Sequence, residues 1–379
     1  MIIFKRTLEE RIRNHLFKKD MIVIFGPRQA GKTTLVKKII ADLAEEGAYY
    51  DCQIADIRKH FVVGAPDALL PLTKGKKAVV FDEAQTIQNI GTILKVYHDT
   101  YPGTQIIATG SSSFDLANKI VEPMTGRAVE FTLLPLSLAE IASAKPITTD
   151  ELHSLLLYGS YPRVVGSETI SEKEEAIKSI ATNYLYKDVF TYEAIRNPKI
   201  FEDLVKALAL QVGSLVSRNE LAETVGTTRA TIDRYLRLLE QAFIIKRVYA
   251  FSTNPRTEIR KAFKVIFTDV GVRNALVDIV TPLSSRGDRG GIFENFVGSE
   301  LLKIGTNEIF APELMFWRTR SGMEMDYITK HGRTIAGYEC KWGAQDVSFK
   351  KFLSLYPEAK AEVIHPQNIM DVLSSPPQR

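Results

Sequence analysis

The sequence of 379 residues predicts an α/β protein built in successive modules, and three stretches carry that reading. An apolar strand, Met21-Ile22-Val23-Ile24, runs into a glycine-bracketed loop and then a helix containing Leu35, Val36, Ile39 and Ile40. A second apolar run, Ala78-Val79-Val80-Phe81, ends in Asp82-Glu83. Near the C-terminus a helix with Phe293, Phe296, Val297 and Leu301 on one stripe precedes a strand and a hairpin. Strands alternating with helices predict a parallel sheet, and a chain this long exceeds one ordinary core.

Composition bounds the partners only loosely. Hydrophobic residues make up 45% and charged residues 25%, as in soluble globular proteins, and a formal net charge of +4 neither demands nor excludes nucleic acid. Cys52 and Cys340 lie far apart without metal-ligand spacing, which fits a reducing compartment. MIIFKRTLEERIRN does not read as a signal peptide, and no apolar run approaches the roughly 18 residues of a membrane span. A cytoplasmic protein with no membrane partner is expected.

The first loop, Gly26-Pro27-Arg28-Gln29-Ala30-Gly31-Lys32-Thr33, fits G-x-x-x-x-G-K-[ST] between a strand and a helix, the context that pattern requires. Its backbone N–H groups, with Thr34 in the first helical turn, would wrap phosphates at a helix N-terminus. Lys32 would reach the β and γ phosphates, and Thr33 would bind Mg²⁺. Asp82 would hold the metal through water, and Glu83 would polarise the hydrolytic water. A third strand, Gln105 to Thr109, ends in Gly110-Ser111-Ser112-Ser113. Thr109 and Ser111 are candidates to sense the γ-phosphate, or they only turn the chain. Arg127, before the strand Ala128 to Leu133, is either an arginine finger on a neighbouring subunit's nucleotide or an ordinary surface arginine.

This order of glycine loop, Asp-Glu strand, polar strand end and Gly-Arg strand resembles the AAA+ ATPases. Thr125-Gly126-Arg127 through Leu134-Pro135-Leu136-Ser137-Leu138-Ala139-Glu140 more closely resembles a widespread group of bacterial and archaeal AAA-type ATPases. Those proteins tend to carry Gly-x-Tyr-Pro, here Gly159-Ser160-Tyr161-Pro162, in a small helical lid. The resemblance covers the whole chain in order. It implies ATP rather than GTP, and the sequence holds no Asn-Lys-x-Asp guanine-reading motif.

Residues 136–198 read as the helical lid, with Ser137 capping Leu138 to Ala142 and a long helix from Glu172 to Tyr186. Arg163 either approaches the phosphates or faces solvent. Residues 199–285 read as a winged helix. One helix contains Phe201 to Leu210, a second spans Ser217 to Val225 and ends at Gly226, and Thr227 caps a third from Thr228 to Gln241. Phe243 to Val248 and Lys264 to Phe267 then form wing strands. Thr228, Arg229, Thr231, Arg234 and Arg237 would meet DNA, with Arg256, Arg260 and Lys261 touching phosphates. The alternative is a rigid spacer with solvated arginines.

In residues 286–379, strands Met325 to Thr329 and Thr334 to Lys341 flank Lys330-His331-Gly332-Arg333. An even loop of two or four residues sets Asp326 opposite Gly337, on the face of Glu339 and Lys341. Asp326 and Glu339 would bind Mg²⁺ or Mn²⁺, and Lys341 would orient an attacking water. Asp326 with Glu339-Cys340-Lys341 resembles the PD-(D/E)xK nuclease superfamily, whose first-helix acid would fall on Glu294 or, less well placed, Glu300. Met325 stands where that family has proline. The alternative is a cross-strand charge pair on an ordinary sheet surface.

The resulting fold class is an AAA+-like P-loop sheet (1–135), the helical lid, the winged helix and a restriction-endonuclease-like α/β domain. Two functions follow: an ATPase coupled to a Mg²⁺-dependent nuclease acting on DNA, or a nucleotide-controlled switch that binds DNA or protein and cuts nothing. A small-molecule kinase fits less well, for want of an acceptor site. A homo-oligomer and a protein partner are compatible with both.

Overall fold

The computed structural model describes residues 3–111, 126–183, 195, 197–251, 263–279, 281–319 and 322–374. The chain divides into two compact units. One comprises Lys5–Leu134 with Gln241–Phe243, and the other Met1–Phe4, Pro135–Glu240 and Ile244–Arg379.

Among the described residues, the first unit holds a five-stranded parallel sheet of β1 (Met21–Phe25), β2 (Gly47–Asp51), β3 (Ala78–Asp82), β4 (Gln105–Gly110) and β5 (Ala128–Thr132). The strand order is β2-β3-β4-β1-β5, so the loops after β1 and β3 leave from strands separated only by β4. The unbroken apolar runs of β1 and β3 follow from burial on both faces. Ile22 and Ile24 pack with α1 (Thr7–His15) and α2 (Lys32–Ala41) through Leu8, Ile12, Leu35 and Ile39. Met21, Val23 and Phe25 pack on the opposite face with Ile90, Ile93 and Leu94 of α3 (Ile90–Thr100). Each such side chain contributes about 1.5–3 kcal/mol when fully buried.

The second unit opens with α4 (Leu138–Ala142), started by the expected Ser137 cap. Ser137 Oγ accepts from the Glu140 N–H at 3.2 Å, and Glu140 Oε2 accepts from the Ser137 N–H at 3.0 Å. Next come α5 (Thr149–Tyr158) and α6 (Ile170–Asn183), then α7 (Pro198–Leu210), β6 (Leu215–Val216), α8 (Arg218–Thr224) and α9 (Arg229–Gln241). The expected continuation of α6 to Tyr186 lies outside the described residues. The cap of α9 is Thr228, one residue beyond Thr227: its Oγ1 accepts from the Thr231 N–H at 3.2 Å, while the Thr227 N–H is spent on Ala222 O at 2.9 Å.

The remaining elements are β7 (Ile245–Ala250), β8 (Phe263–Phe267), α10 (Val270–Leu276), α11 (Arg289–Thr306), β9 (Glu313–Arg318), β10 (Glu324–His331), β11 (Thr334–Cys340), α12 (Lys350–Leu355), β12 (Lys360–Ile364) and α13 (Ile369–Ser374). One seven-stranded sheet, ordered β12-β11-β10-β9-β7-β8-β6, runs through this unit. It is continuous because β7 pairs in parallel with β9, Tyr249 with Met315 and Ala250 with Phe316. Segments 136–198, 199–285 and 286–379 consequently share one core, in which Leu155, Leu156, Ile266, Phe293, Phe296, Val297 and Tyr327 meet.

The hairpin register corrects an expectation. β10 and β11 close over two residues, Gly332 and Arg333, with His331 opposite Thr334, so Gly337 faces Ile328 rather than Asp326. Gly332 takes φ +59, a left-handed conformation that glycine adopts without a Cβ clash. On the other edge, β10 shifts register against β9 between Met325 and Ile328, a β-bulge. Met325 and Ile328 both enter a cluster with Trp317 and Phe352. Asp326 and Tyr327 between them both turn towards α11.

Candidate functional site

In the parallel-sheet unit, β1 delivers the chain to the loop that begins at Gly26. Gly26 has φ +150, and a Cβ there would lie 2.0 Å from the Leu133 carbonyl oxygen, so only glycine allows the loop this close to the chain leaving β5. Gly31, at φ +99, turns the loop into the first turn of α2. Pro27 and Ala30 are buried, Arg28 is half-buried, and Gln29 and Thr34 are exposed. Lys32 is buried, its Nζ donating to Gly26 O and Pro27 O at 2.7 Å each. These acceptors are neutral carbonyls, which an anionic oxygen outcompetes for an ammonium.

The Asp82 carboxylate gathers three hydroxyls. Thr33 Oγ1 donates to Oδ2 at 2.7 Å, Tyr49 Oη to the same oxygen at 2.6 Å, and Thr109 Oγ1 to Oδ1. Burial, and then the neighbouring carboxylate, push the Tyr49 phenol up, so it stays a donor. Glu83 leaves β3 at φ +53, and its N–H donates to Thr109 Oγ1 at 3.2 Å. Gln85 Nε2 donates to Glu83 Oε2 at 2.5 Å and to Ser111 Oγ at 3.1 Å. Lys32, Thr33, Asp82, Glu83, Thr109 and Ser111 are therefore brought together at the C-terminal ends of β1, β3 and β4. A helix N-terminus, a lysine, a hydroxyl and a carboxylate fit a Mg²⁺-nucleotide, because Mg²⁺ takes hard oxygen donors.

Arg127 is not in this group. Its carbonyl accepts from the N–H of Met21, the first residue of β1, whereas the glycine loop follows the last. It lies at the opposite end of the sheet, where Nε meets Asp99 Oδ1 at 2.8 Å in an exposed pair. Sequence reasoning also passed over Arg6, whose guanidinium donates to Ala30 O and Leu134 O at 2.6 Å each, and over Tyr49 and Gln85. Gln85 had a signal, standing two residues after Glu83. Tyr49 and Arg6 had none, since only the register of β2 beside β3 and the position of α1 bring them in.

The second unit holds the C-terminal acids. At their centre is Lys264 of β8, 2% exposed. Its Nζ lies 2.7 Å from Glu324 Oε1, 2.9 Å from Glu294 Oε1 and 3.3 Å from Asp326 Oδ1. Asp326 Oδ2 accepts from the Cys340 N–H at 2.9 Å, and Tyr327 Oη donates to Glu294 O at 3.1 Å. Glu339 instead pairs with Lys341, Oε1 to Nζ 2.7 Å, and its buried Oε2 takes no hydrogen bond among the described residues. Asp326 thus faces Lys264 while Glu339 pairs with Lys341, and Asp326 still lies close enough to act electrostatically on both Glu339 and Lys341. Glu339 stays near enough to Asp326 for burial, and then mutual repulsion, to raise its pKa.

Burial, and then Asp326, push the Glu294 carboxyl up to about 8, against the pull of Lys264. Three carboxylates around one ammonium leave an excess of negative charge that a retained proton reduces, and Glu294 is the acid whose surroundings favour that proton. Glu300 belongs elsewhere: it accepts from the Leu138 N–H at 2.7 Å and pairs with Lys303 at 2.7 Å. Among the described residues, no group of three or more His, Cys, Asp or Glu is arranged to hold a metal ion.

On α9 and its cap, Thr228, Arg229 and Arg237 are exposed. Asp233, between the two arginines, takes Arg218 at 2.6 Å, and Arg234 lies over the Tyr235 ring at 5.2 Å. Arg256, Arg260 and Lys261 lie outside the described residues. Among the described residues, no helix is long and apolar enough to cross a membrane.

With this geometry established, likeness to known proteins adds a frame. Residues 18–142 match the family model of an AAA domain, which points to a nucleotide-binding ATPase. Residues 149–283 match a domain of unknown function (DUF8612), and residues 289–371 another (DUF4143). An uncharacterized protein of Mycobacterium tuberculosis is 26% identical over 346 residues, covering 90% of this chain and 74% of its own. One of Methanocaldococcus jannaschii is 24% identical over 345 residues, covering 85% and 75%. A structure of Drosophila ORC bound to AT-rich DNA and Cdc6 aligns over 72% of this chain and 89% of that one at 8% identity, and its TM-score of 0.26 carries no argument.

Proposed function

We propose that this protein binds and hydrolyses ATP at the glycine-loop site, and that the nucleotide acts as a switch for a partner held by the rest of the chain. The observation that carries this reading is the Asp82 carboxylate, which joins Thr33 of α2 to Thr109 of β4. Lys32 exchanges its two carbonyl partners for the β and γ phosphates. Thr33 and Asp82 would hold Mg²⁺, which when bound neutralises charge on the phosphate oxygens. Glu83 accepts a proton from the attacking water, and Thr109 and Ser111 report on the γ-phosphate.

Residues 136–198 then serve as a lid, and residues 199–285 as a winged helix, supported by the order of α7, β6, α8, α9 and the β7–β8 hairpin. Thr228, Arg229 and Arg237 are the exposed groups it would offer to DNA. Lys264 favours a binding rather than a cutting role for the C-terminal domain, since its ammonium already occupies the place between Glu294, Glu324 and Asp326 that a metal ion would take. Free Cys52 and Cys340 fit a cytoplasmic setting.

One observation supports the nuclease reading instead. The buried Oε2 of Glu339 takes no hydrogen bond among the described residues and is one open acceptor for a divalent ion or a water, and the partly exposed Lys341 beside it would orient an attacking water. The deciding experiment measures ATP turnover and cleavage of linear, supercoiled and single-stranded DNA in Mg²⁺ or Mn²⁺. Lys32→Ala and Glu339→Ala serve as controls. Turnover lost in Lys32→Ala without any DNA cleavage supports the switch. Cleavage lost in Glu339→Ala establishes the nuclease, and turnover unchanged in Lys32→Ala would sink the site assignment.

A further inference from the structure

Gln85 stands at the nucleotide site beside Glu83 and Ser111. The chain leaves β3 in a left-handed turn at Glu83 and enters a 3-10 turn, Ala84–Thr86. That turn is pinned by Thr86, whose Oγ1 donates to Glu83 O at 2.9 Å and to Cys52 O at 3.0 Å. It aims the Gln85 amide back at the Glu83 carboxylate, with Nε2 shared between Glu83 Oε2 at 2.5 Å and Ser111 Oγ at 3.1 Å. The other end of that amide, Oε1, is buried and takes no hydrogen bond among the described residues. A buried carbonyl oxygen left without a donor costs about 1–3 kcal/mol, so a site that keeps one has a use for it.

We propose that Gln85 is a positioning residue for ATP hydrolysis. Its Nε2 fixes the Glu83 carboxylate, ties it through Ser111 to the end of β4, and leaves Oε1 as a second acceptor for the attacking water. Glu83 and Gln85 then present two acceptors to one water, orienting a lone pair towards the γ-phosphorus. The water oxygen bonds to phosphorus, the bond to the bridging oxygen of ADP breaks, and the proton goes to Glu83. Because Ser111 holds the same amide, a shift of Ser111 on meeting the γ-phosphate re-aims Glu83, so the base is set only when that phosphate is present. The inference rests on the reading that this site hydrolyses ATP.

The test uses the full chain with Gln85→Leu, Gln85→Glu, Glu83→Gln and the double variant Glu83→Gln/Gln85→Leu. ATP turnover is measured against pH, and nucleotide affinity with a fluorescent ATP analogue. Gln85→Leu is expected to lower kcat about 10- to 100-fold with affinity unchanged. Gln85→Glu removes the donor and places a like charge beside Glu83, so it should lower kcat at least as far as Gln85→Leu, again with affinity unchanged. In the double variant the loss should fall well short of the product of the two single losses, since Gln85 acts in part through Glu83. Additive losses, or parental kcat in Gln85→Leu or Gln85→Glu, would overturn the proposal, and either arm decides if the other variant fails to fold. Failure of the parent protein to hydrolyse ATP sinks the ATPase reading itself, a result distinguishable from parental behaviour in the Gln85 variants.

Discussion

The two units each bury a lysine, and the two lysines are held in different ways. Lys32 rests on two neutral carbonyls, while the nearby Asp82 is served by the hydroxyls of Thr33, Tyr49 and Thr109. Lys264 rests on the acids themselves, within 3.3 Å of Glu294, Glu324 and Asp326. A lysine held by carbonyls can be taken over by phosphate, because the ligand brings the stronger acceptor. A lysine held by three acids is part of the framework, because removing it strands buried charge. A similar inventory of residue types thus serves a ligand site in one unit and an internal tie in the other.

The sharpest break in that contrast comes from the Glu83 carboxylate. Glu83→Gln should lower ATP turnover by about 10²- to 10⁴-fold, the range for loss of a general base, with nucleotide still bound. Single-turnover kinetics with a binding assay check it, and near-parental turnover would remove Glu83 from the chemistry. Next in size is Lys264→Met, expected to destabilise the second unit by about 3–5 kcal/mol in urea unfolding, with the nucleotide affinity of the first unit retained. A loss below about 1 kcal/mol would mean that the acids relax by protonation and that the ammonium is dispensable.

The acid cluster also predicts a pH dependence. Glu294, raised to about 8 from its ordinary 4.5, keeps its proton when folded and gives it up when unfolded. The unfolded chain then binds fewer protons, so stability falls as pH rises from about 4.5 to about 8. Lys264, also raised, keeps its full contribution below its ordinary 10.5 and adds no slope in that window. Glu294→Gln should flatten the slope of unfolding free energy over that range, and an unchanged slope would assign it elsewhere. The smallest effect is Arg127→Ala, where loss of the exposed Asp99 pair costs at most about 1 kcal/mol. A finger acting on a second copy would instead cut turnover in a concentration-dependent way with affinity intact, which a turnover series against protein concentration detects.

What was legible in the sequence was local. The glycine loop is one contiguous pattern whose meaning lies in backbone shape, so Gly26 to Thr33 could be assigned without knowing their neighbours. Asp82 and Glu83 followed because a buried parallel strand leaves an uninterrupted apolar run before its polar end. What could not be read was any partnership set by register. Tyr49 reaches Asp82 because β2 lies in parallel beside β3, and nothing near Tyr49 in the chain announces it. The C-terminal acids show the same limit more severely. Strict alternation is the only guide a sequence offers along β10, and the bulge between Met325 and Ile328 breaks it at the residue that mattered. Lys264 looked like one more strand residue until β8 took its place beside β7, one strand from β9.

The parallel pairing of β7 with β9 carries a practical consequence for anyone dividing this protein into pieces. A cut in the connection before α11, the place a sequence-based boundary suggests, would unzip a sheet through its middle. The N-terminal fragment would carry β7 with a raw strand edge, and the C-terminal fragment would carry β9 with another. Each would also lose its half of the charge balance, with Lys264 on one piece and its three acids on the other. Such fragments present the features that drive edge-to-edge aggregation. Insoluble halves would therefore report on the place of the cut, and would say nothing against either half's role in the intact chain.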